Sequence, residues 1–275
     1  MLSRVASIFK KSIVHAKISG KITNETTKQL TKEFKRINFR TPKLIAISVN
    51  TNQGTYGQAE EIVKTIKEYS SKFNCPVYTF AEDIAAGPGY YILASGNKVF
   101  IDSFSLIGGI TTNTKTLDLI KFSKNYGVKT NIEFAGKHKV RVNPFLELKD
   151  EDKAWVQGLL EERVKLVKDY VLDKRGHKIP RDKEKEGLAF SGEVFMGAKA
   201  IELGLADSVN DFRSIAKKEY DGLKVVDFKM RIRKDKEFMW AGVTGLGREE
   251  IMEIVDEIPG NVLAHRHSFD SFMNH

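Results

Sequence analysis

Cysteine is nearly absent, with one residue, Cys75, in 275. This excludes an internal disulfide and any multi-cysteine metal site, and it fits a reducing interior. Its position just before Pro76, at the entry to an apolar run, predicts a small buried hydrophobe rather than a reactive thiol. Long apolar runs are missing as well. No stretch approaches the ~18 residues that a membrane-crossing helix needs, so no transmembrane helix is expected. Acidic residues are missing from the N-terminus, where the first is Glu25. Arg4, Lys10, Lys11, Lys17 and Lys21 stand there against Leu2, Val5, Phe9 and Ile13 at helical spacing. A basic, serine-containing, acid-free amphipathic stretch has the composition of a mitochondrial targeting segment, and it sets residues 1–24 apart as an N-terminal segment. An ordinary basic surface helix, or one lying on a membrane, has the same composition.

The chain is long enough for one large α/β domain with an extension, and its 41% hydrophobic content is ordinary for a sizeable core. Lys and Arg number 45 against 36 Asp and Glu, a net charge of +9. That balance suits an acidic protein subunit, an anionic lipid surface or RNA, and charge alone does not choose among them.

Residues 44–50 (LIAISVN) form a short β-branched run that reads as a buried parallel strand. A turn with Gly54 follows, and then Ala59, Ile62, Val63, Ile66 and Tyr69 recur at helical spacing. Residues 76–83 read as a second strand, Gly87–Gly89 as a sharp turn, 90–95 as a helix and 98–102 as a third strand. Strands alternating with helices imply a parallel sheet covered on both faces. A helix is expected over 117–126, a strand over 128–135, a long amphipathic helix over 148–174 and a charged loop over 175–187. Residues 197–203 should form a helix ended by Gly204.

A strand running through a glycine corner into a helix is where α/β folds place a nucleophile or an oxyanion site, although short glycine patterns also serve as plain structural turns. The run EDIAAGPGYYILASGNKVFID resembles the nucleophile segment of the S49 peptidase family (signal peptide peptidase A and SohB-like proteins, on the ClpP/crotonase fold), whose pattern is E-D-x-A-A-S-G-G-Y-Y-x-A. The family's serine falls on Gly87 and the glycine after it on Pro88. The V-N-S-P-G-G turn, whose glycine amide serves the family's oxyanion site, resembles residues 49–54, with Gln53 in place of the first glycine and Gly54 kept. The G-S-I-G-V loop falls on 108–112, with Gly109 in place of serine. The general-base lysine of G-K-x-K falls on Lys139, beside Gly136 and Lys137. Residues 191–209 resemble the closing signature G-R-V-x-x-G-x-x-A-x-x-x-G-L-x-D. The resemblance spans 43–209 and implies an α/β, ClpP/crotonase-like parallel sheet of repeated βα units with flanking helices, over a domain at 25–209.

A serine–lysine hydrolase needs a poised hydroxyl, a neutral lysine and backbone N–H donors. Gly87 offers no hydroxyl and Pro88 no N–H. With Gln53, Gly54, Gly109 and Lys139 they make a degenerate site, so the resemblance implies a catalytically inactive S49-like scaffold or interaction subunit of a mitochondrial assembly. The alternative is an active serine peptidase with its nucleophile moved to Ser95, Ser103, Ser105 or Thr51. Acyl-CoA chemistry of the crotonase kind needs no serine, but no acid/base carboxylate stands beside the turn. No cofactor is called for. His265, His267 and His275 lack companions at ligand spacing, so no metal site is expected. Residues 210–275 form a C-terminal extension with a basic run at 229–236 and an apolar stripe of Ile251, Ile254, Val255 and Ile258. That stripe and the N-terminal segment are the surfaces expected to meet other protein subunits, while the basic surface also suits peripheral membrane or RNA contact.

Overall fold

A computed structural model of the chain describes residues 11–37, 41–228 and 230. They fall into two compact units, one built from the stretches before Asn113 and after Glu162, the other from Asn113–Glu162.

The first unit is an α/β sheet. Its strands are β1 (Lys11–Ser19), β2 (Thr41–Thr51), β3 (Val77–Ala86), β4 (Lys98–Ile101), β5 (Leu106–Gly108), β6 (Val194–Met196), β7 (Ser208–Val209) and β8 (Lys224–Asp227). The order is β6-β5-β3-β2-β1-β8, with β4 pairing β3 and β7 pairing β4. Along β3, Tyr78–Ala81 pair with β4 and Ile84–Ala86 with β5. Every pairing is parallel except β5 with β6. Residues 44–49 are all buried because both faces of the sheet are covered. One face, with Val14, Ala16, Ile18, Ile45, Ile47 and Val49, belongs to the larger core, which takes in α1 (Asn24–Arg36), α2 (Tyr56–Phe73) and α3 (Pro88–Leu93). The other carries Ile13, Leu44, Ala46, Tyr78, Phe80 and Phe100.

The short α4 (Ile120–Asn125) lies in the Asn113–Glu162 unit, and α5 (Asp150–Arg175) begins there. Next come α6 (Lys183–Ala189), α7 (Gly197–Glu202) and α8 (Phe212–Glu219), whose buried Ile215 covers the second face of the sheet.

The parallel βα architecture agrees with the sequence reading, and several local expectations change. Residues 11–19 are a strand, not part of a helix: the β-branched run Ile13, Val14 and Ile18 pairs with β2 on one side and β8 on the other. Helical spacing from Leu2 to Ile13 could not reveal those partners. The sheet therefore extends past both boundaries drawn at 24 and 209, since β1 and β8 belong to it and α8 covers one of its faces. Residues 128–135 form no strand; they lie between Gly127 and Gly136, both at positive φ, and Phe134 is exposed. The charged stretch 175–187 contains the start of α6, which begins because the Asp182 carboxylate accepts the Glu184 and Lys185 N–H groups at 3.0 Å. The basic run at 229–236 and the stripe at 251–258 lie outside the described residues, apart from Met230. Among the described residues no helix is long and apolar enough to cross a membrane, and no His/Cys/Asp/Glu group could hold a metal ion.

Candidate active site

The corner between β3 and α3 is held from both sides of the sheet. Thr51 of β2 pairs with Ala85, and Gly108 of β5 with Ala86. Gly87 then turns at φ 55°, ψ −119°, a backbone state that L side chains adopt only under strain. Its N–H donates to the Gly108 carbonyl at 2.9 Å, and its carbonyl accepts the Tyr91 N–H at 3.0 Å. Pro88 opens the helix, where a missing N–H is tolerated. Gly89 sits so close to β2 that a Cβ would overlap the Thr51 carbonyl oxygen. At Gly87 the reverse holds: a Cβ would meet nothing nearer than the Tyr56 hydroxyl at 3.7 Å and the Gly109 carbonyl at 3.8 Å. The geometry of a nucleophile elbow is present, with room for a side chain, and glycine stands where that side chain would be.

Two of the surrounding N–H donors, those of Gly109 and Gln53, are committed elsewhere, and a third is absent. Pro88 has no N–H. Gly109, at φ 59°, spends its N–H on the Glu193 carbonyl at 2.7 Å, and its own carbonyl accepts the Thr111 N–H at 2.8 Å. Gln53 donates its N–H to the Thr51 hydroxyl at 3.2 Å and accepts the Ile22 N–H at 3.0 Å. Gly54, at φ 128°, is pressed against Ile22, whose Cβ would lie 2.6 Å from an added Cβ. These contacts serve packing. The Tyr56 hydroxyl, nearest to the vacant position, donates to the Thr111 carbonyl at 2.8 Å. Burial pushes it up to about 12, against the lowering pull of the Thr111 contact and of Arg163, so it stays protonated at neutral pH and is a poor nucleophile.

Of the hydroxyls considered as relocated nucleophiles, those of Ser95, Ser105 and Thr51 bond to nearby backbone carbonyls. Ser95 donates to the Ile92 carbonyl at 2.7 Å. Ser105 is fully buried, sharing its proton between the Glu82 and Ala81 carbonyls at 2.6 and 3.0 Å and accepting the Asp102 N–H at 3.0 Å. Thr51 is also buried, and Ser103 is exposed beyond β4. The structure thus gathers Gly87, Gln53, Gly54 and Gly109 in the first unit. Lys139 belongs to the Asn113–Glu162 unit, where it is exposed and its backbone N–H donates to the Gly136 carbonyl at 3.2 Å.

One constellation escaped the sequence reading. The His15 Nδ1–H donates to the Asp227 carboxylate at 2.7 Å, and Nε2 accepts the Ser48 hydroxyl at 2.9 Å. The three residues lie on β1, β8 and β2, far apart in the chain, and only the strand register unites them. They have the hydrogen-bond order of a serine triad but not its access. Ser48 is 2% exposed within β2, and Phe212 stacks on the imidazole with ring centroids 4.0 Å apart. The arrangement satisfies a buried hydroxyl and fastens β8 to β1.

The closing signature acts as a clamp beside the turn. Gly204, at φ 73°, ends the turn after α7, and the Leu205 carbonyl accepts the hydroxyl of fully buried Tyr90 at 3.1 Å, tying α3 down. Asp207 accepts the Val99 N–H at 2.8 Å, Arg175 Nη2 at 2.7 Å and Lys178 Nζ at 2.5 Å. Arg175 also donates Nε and Nη2 to the Gly204 carbonyl at 3.1 and 2.9 Å.

Residues 70–226 match the model of Peptidase family S49. The Na(+)/H(+) antiporter NhaA of Brucella abortus (strain 2308) is 31% identical over 176 residues, covering 64% of this chain and 23% of its own length. The putative protease slr0021 of Synechocystis is 25% identical over 198 residues, 72% of this chain and 69% of its own. The chain therefore spans under a quarter of the first relative and about two thirds of the second. A solved structure of the 1510-N membrane-bound stomatin-specific protease superposes with a TM-score of 0.53 at 15% identity, covering 79% of this chain and 97% of that one. At that identity the likeness shows the fold.

Proposed function

The chain belongs to peptidase family S49, and we propose that within it this protein is a catalytically silent member, acting as a scaffold or interaction subunit of a larger mitochondrial assembly. One observation carries the reading: the elbow keeps its hydrogen bonds and its open space at residue 87, but glycine occupies it. Three further features support it, namely a proline where a donor N–H is needed, a Gly109 amide spent on Glu193, and nearby hydroxyls spent on turns. Removing a catalytic serine costs on the order of a millionfold in rate.

The full chain, treated with a fluorophosphonate and assayed on unstructured peptides, should show neither labelling nor cleavage. Labelling at Ser95, Ser103, Ser105 or Thr51 that disappears on alanine substitution would establish the relocated-nucleophile reading instead. Gly87→Ser alone should not bring rates into the peptidase range, because Pro88 still supplies no donor. The mitochondrial part of the proposal rests on the basic, acid-free N-terminus. A reporter carrying residues 1–24 should be imported by isolated mitochondria in a potential-dependent way, and exclusion of the reporter would remove that part.

A further inference from the structure

A cavity of about 450 Å3 lies within the first unit at the start of β3, beside Val77. The elbow at Gly87 follows the other end of that ten-residue strand, about 33 Å away. The cavity walls are the last turns of α2, the turn between α3 and β4, and the end of α5. Val63, Ile66 and Val77, all largely buried, supply an apolar surface. A space of this size with a mixed lining suits a small organic molecule, since such pockets span roughly 300–1,000 Å3.

The polar lining shows which groups remain open. Both serine hydroxyl protons are spent, Ser70 on the Cys75 carbonyl and Ser95 on the Ile92 carbonyl, each at 2.7 Å. Asn97 accepts the Val77 N–H through Oδ1 at 2.8 Å, which leaves its Nδ2 donor unused. Arg175 is 1% exposed, and its Nε and Nη2 carry the bonds to Gly204 and Asp207. Its Nη1 has no hydrogen-bond partner among the described residues, although the side chain lines the cavity. A buried donor without a partner is uncommon and points to a group that supplies one. Charge narrows the choice. Lys174 pairs with Asp173 at 2.6 Å, while Lys67 lowers the Asp173 pKa but pairs directly with nothing among the described residues. Lys67, Lys174 and Arg175 thus outnumber Asp173, the carboxylate in the lining, by two, and Asp207 behind Arg175 brings the excess near one. The exposed Lys178, which shares Asp207, does not line the cavity. The C-terminal ends of α2, α3 and α5, partly negative, disfavour a second negative charge.

We propose that this cavity binds a small monocarboxylate with a hydrocarbon body. The body lies on Val63, Ile66 and Val77, and the carboxylate is held by Lys67 and by Nη1 of Arg175, with the Asn97 amide as a further donor. A phosphate monoester, carrying up to two charges, fits the charge balance less well. This inference is independent of the catalytic reading, because no residue of the Gly87 turn lines the cavity.

The test is titration of the methyl-labelled full chain with octanoate, followed by NMR. The methyl signals of Val63, Ile66 and Val77 should shift saturably, with a Kd of about 1 mM or lower. Octanol and octylammonium, which keep the chain and change the head, should bind at least about tenfold more weakly, and octyl phosphate no more tightly than octanoate. Lys67→Glu should weaken octanoate about tenfold or more, as should Asn97→Asp, which keeps Oδ1 for the Val77 N–H. Both sites are exposed, so neither change disturbs the core. Octanol or octylammonium binding within about tenfold of octanoate would reduce the cavity to an unselective apolar hole and overturn the proposal. Tighter binding of octyl phosphate, unchanged affinity in either variant, or no saturable shift at the three residues would overturn it as well.

Discussion

Asp207→Asn should be among the most damaging single substitutions in the protein, although it lies outside the turn. The Asp207 side chain is 15% exposed and the Arg175 side chain 1%. The wild-type carboxylate neutralises Arg175 and Lys178 while accepting the Val99 N–H. An amide in its place removes the negative charge and leaves a guanidinium buried against a neutral carbonyl of Gly204. Breaking one side of such a pair costs about 3–5 kcal/mol, against a typical total of about 5–15 kcal/mol. Urea unfolding followed by circular dichroism measures this directly. The double variant Arg175→Met/Asp207→Leu should lose less than the single, because no charge remains stranded. The acid dependence has a definite sign. Burial alone would raise the Asp207 pKa, but hydrogen bonds from Arg175, Lys178 and the Val99 amide outweigh it and hold the carboxyl below its usual range. Its stabilisation is therefore present above the ordinary carboxylate pKa and lost as pH falls through the depressed value. The gap between wild type and Asp207→Asn should narrow in acid. A cost under about 1 kcal/mol at neutral pH, or a gap that widens as pH falls, would refute the reasoning.

The two glycines of the turn should respond differently to one methyl group. Gly89→Ala, which drives a Cβ into the Thr51 carbonyl, should cost more than Gly87→Ala, which has space and should cost only the backbone strain of about 1–3 kcal/mol; thermal melts in the reverse order would contradict the geometry. Cys75, whose thiol burial pushes up to about 11 against the opposing pull of Lys43, should react with iodoacetamide at pH 8 at least about a hundredfold more slowly than the unfolded chain. Equal rates would show the thiol to be accessible and ionised.

The parts of the fold legible from sequence are those whose neighbours are close in the chain or whose burial is total. Residues 44–49 announced a central parallel strand because both faces had to be apolar, and Gly204 announced the end of its helix because the turn required positive φ. Asp182 was equally local, a capping residue two positions before Glu184, yet it was hidden by the charged composition around it. β1 lay beyond local reasoning. Ile13, Val14 and Ile18 fit a strand only because residues near 45 and 225 flank them, and nothing between Leu2 and Ser19 encodes that. The same holds for His15, Ser48 and Asp227, which become neighbours through strand register. The vacancy at the elbow was legible because it concerns one residue in a recognisable run; that Gly109 spends its amide on Glu193 was not, because Glu193 arrives from a distant antiparallel strand edge.

The shape of the elbow does not depend on a side chain at position 87, because other residues hold it. Its path is fixed by Thr51 against Ala85, by Gly108 against Gly87, by the close approach of Gly89 to β2, and by Tyr90 anchored on Leu205. None of these contacts involves a side chain at position 87. A serine there would hold φ near 55°, a strain of about 1–3 kcal/mol that an enzyme accepts in exchange for turnover. Glycine adopts the same angle without that strain. Once Pro88 stands where a donor amide is needed, a serine would bring the strain and little catalysis. Glycine at the corner is thus compatible with every contact that shapes it.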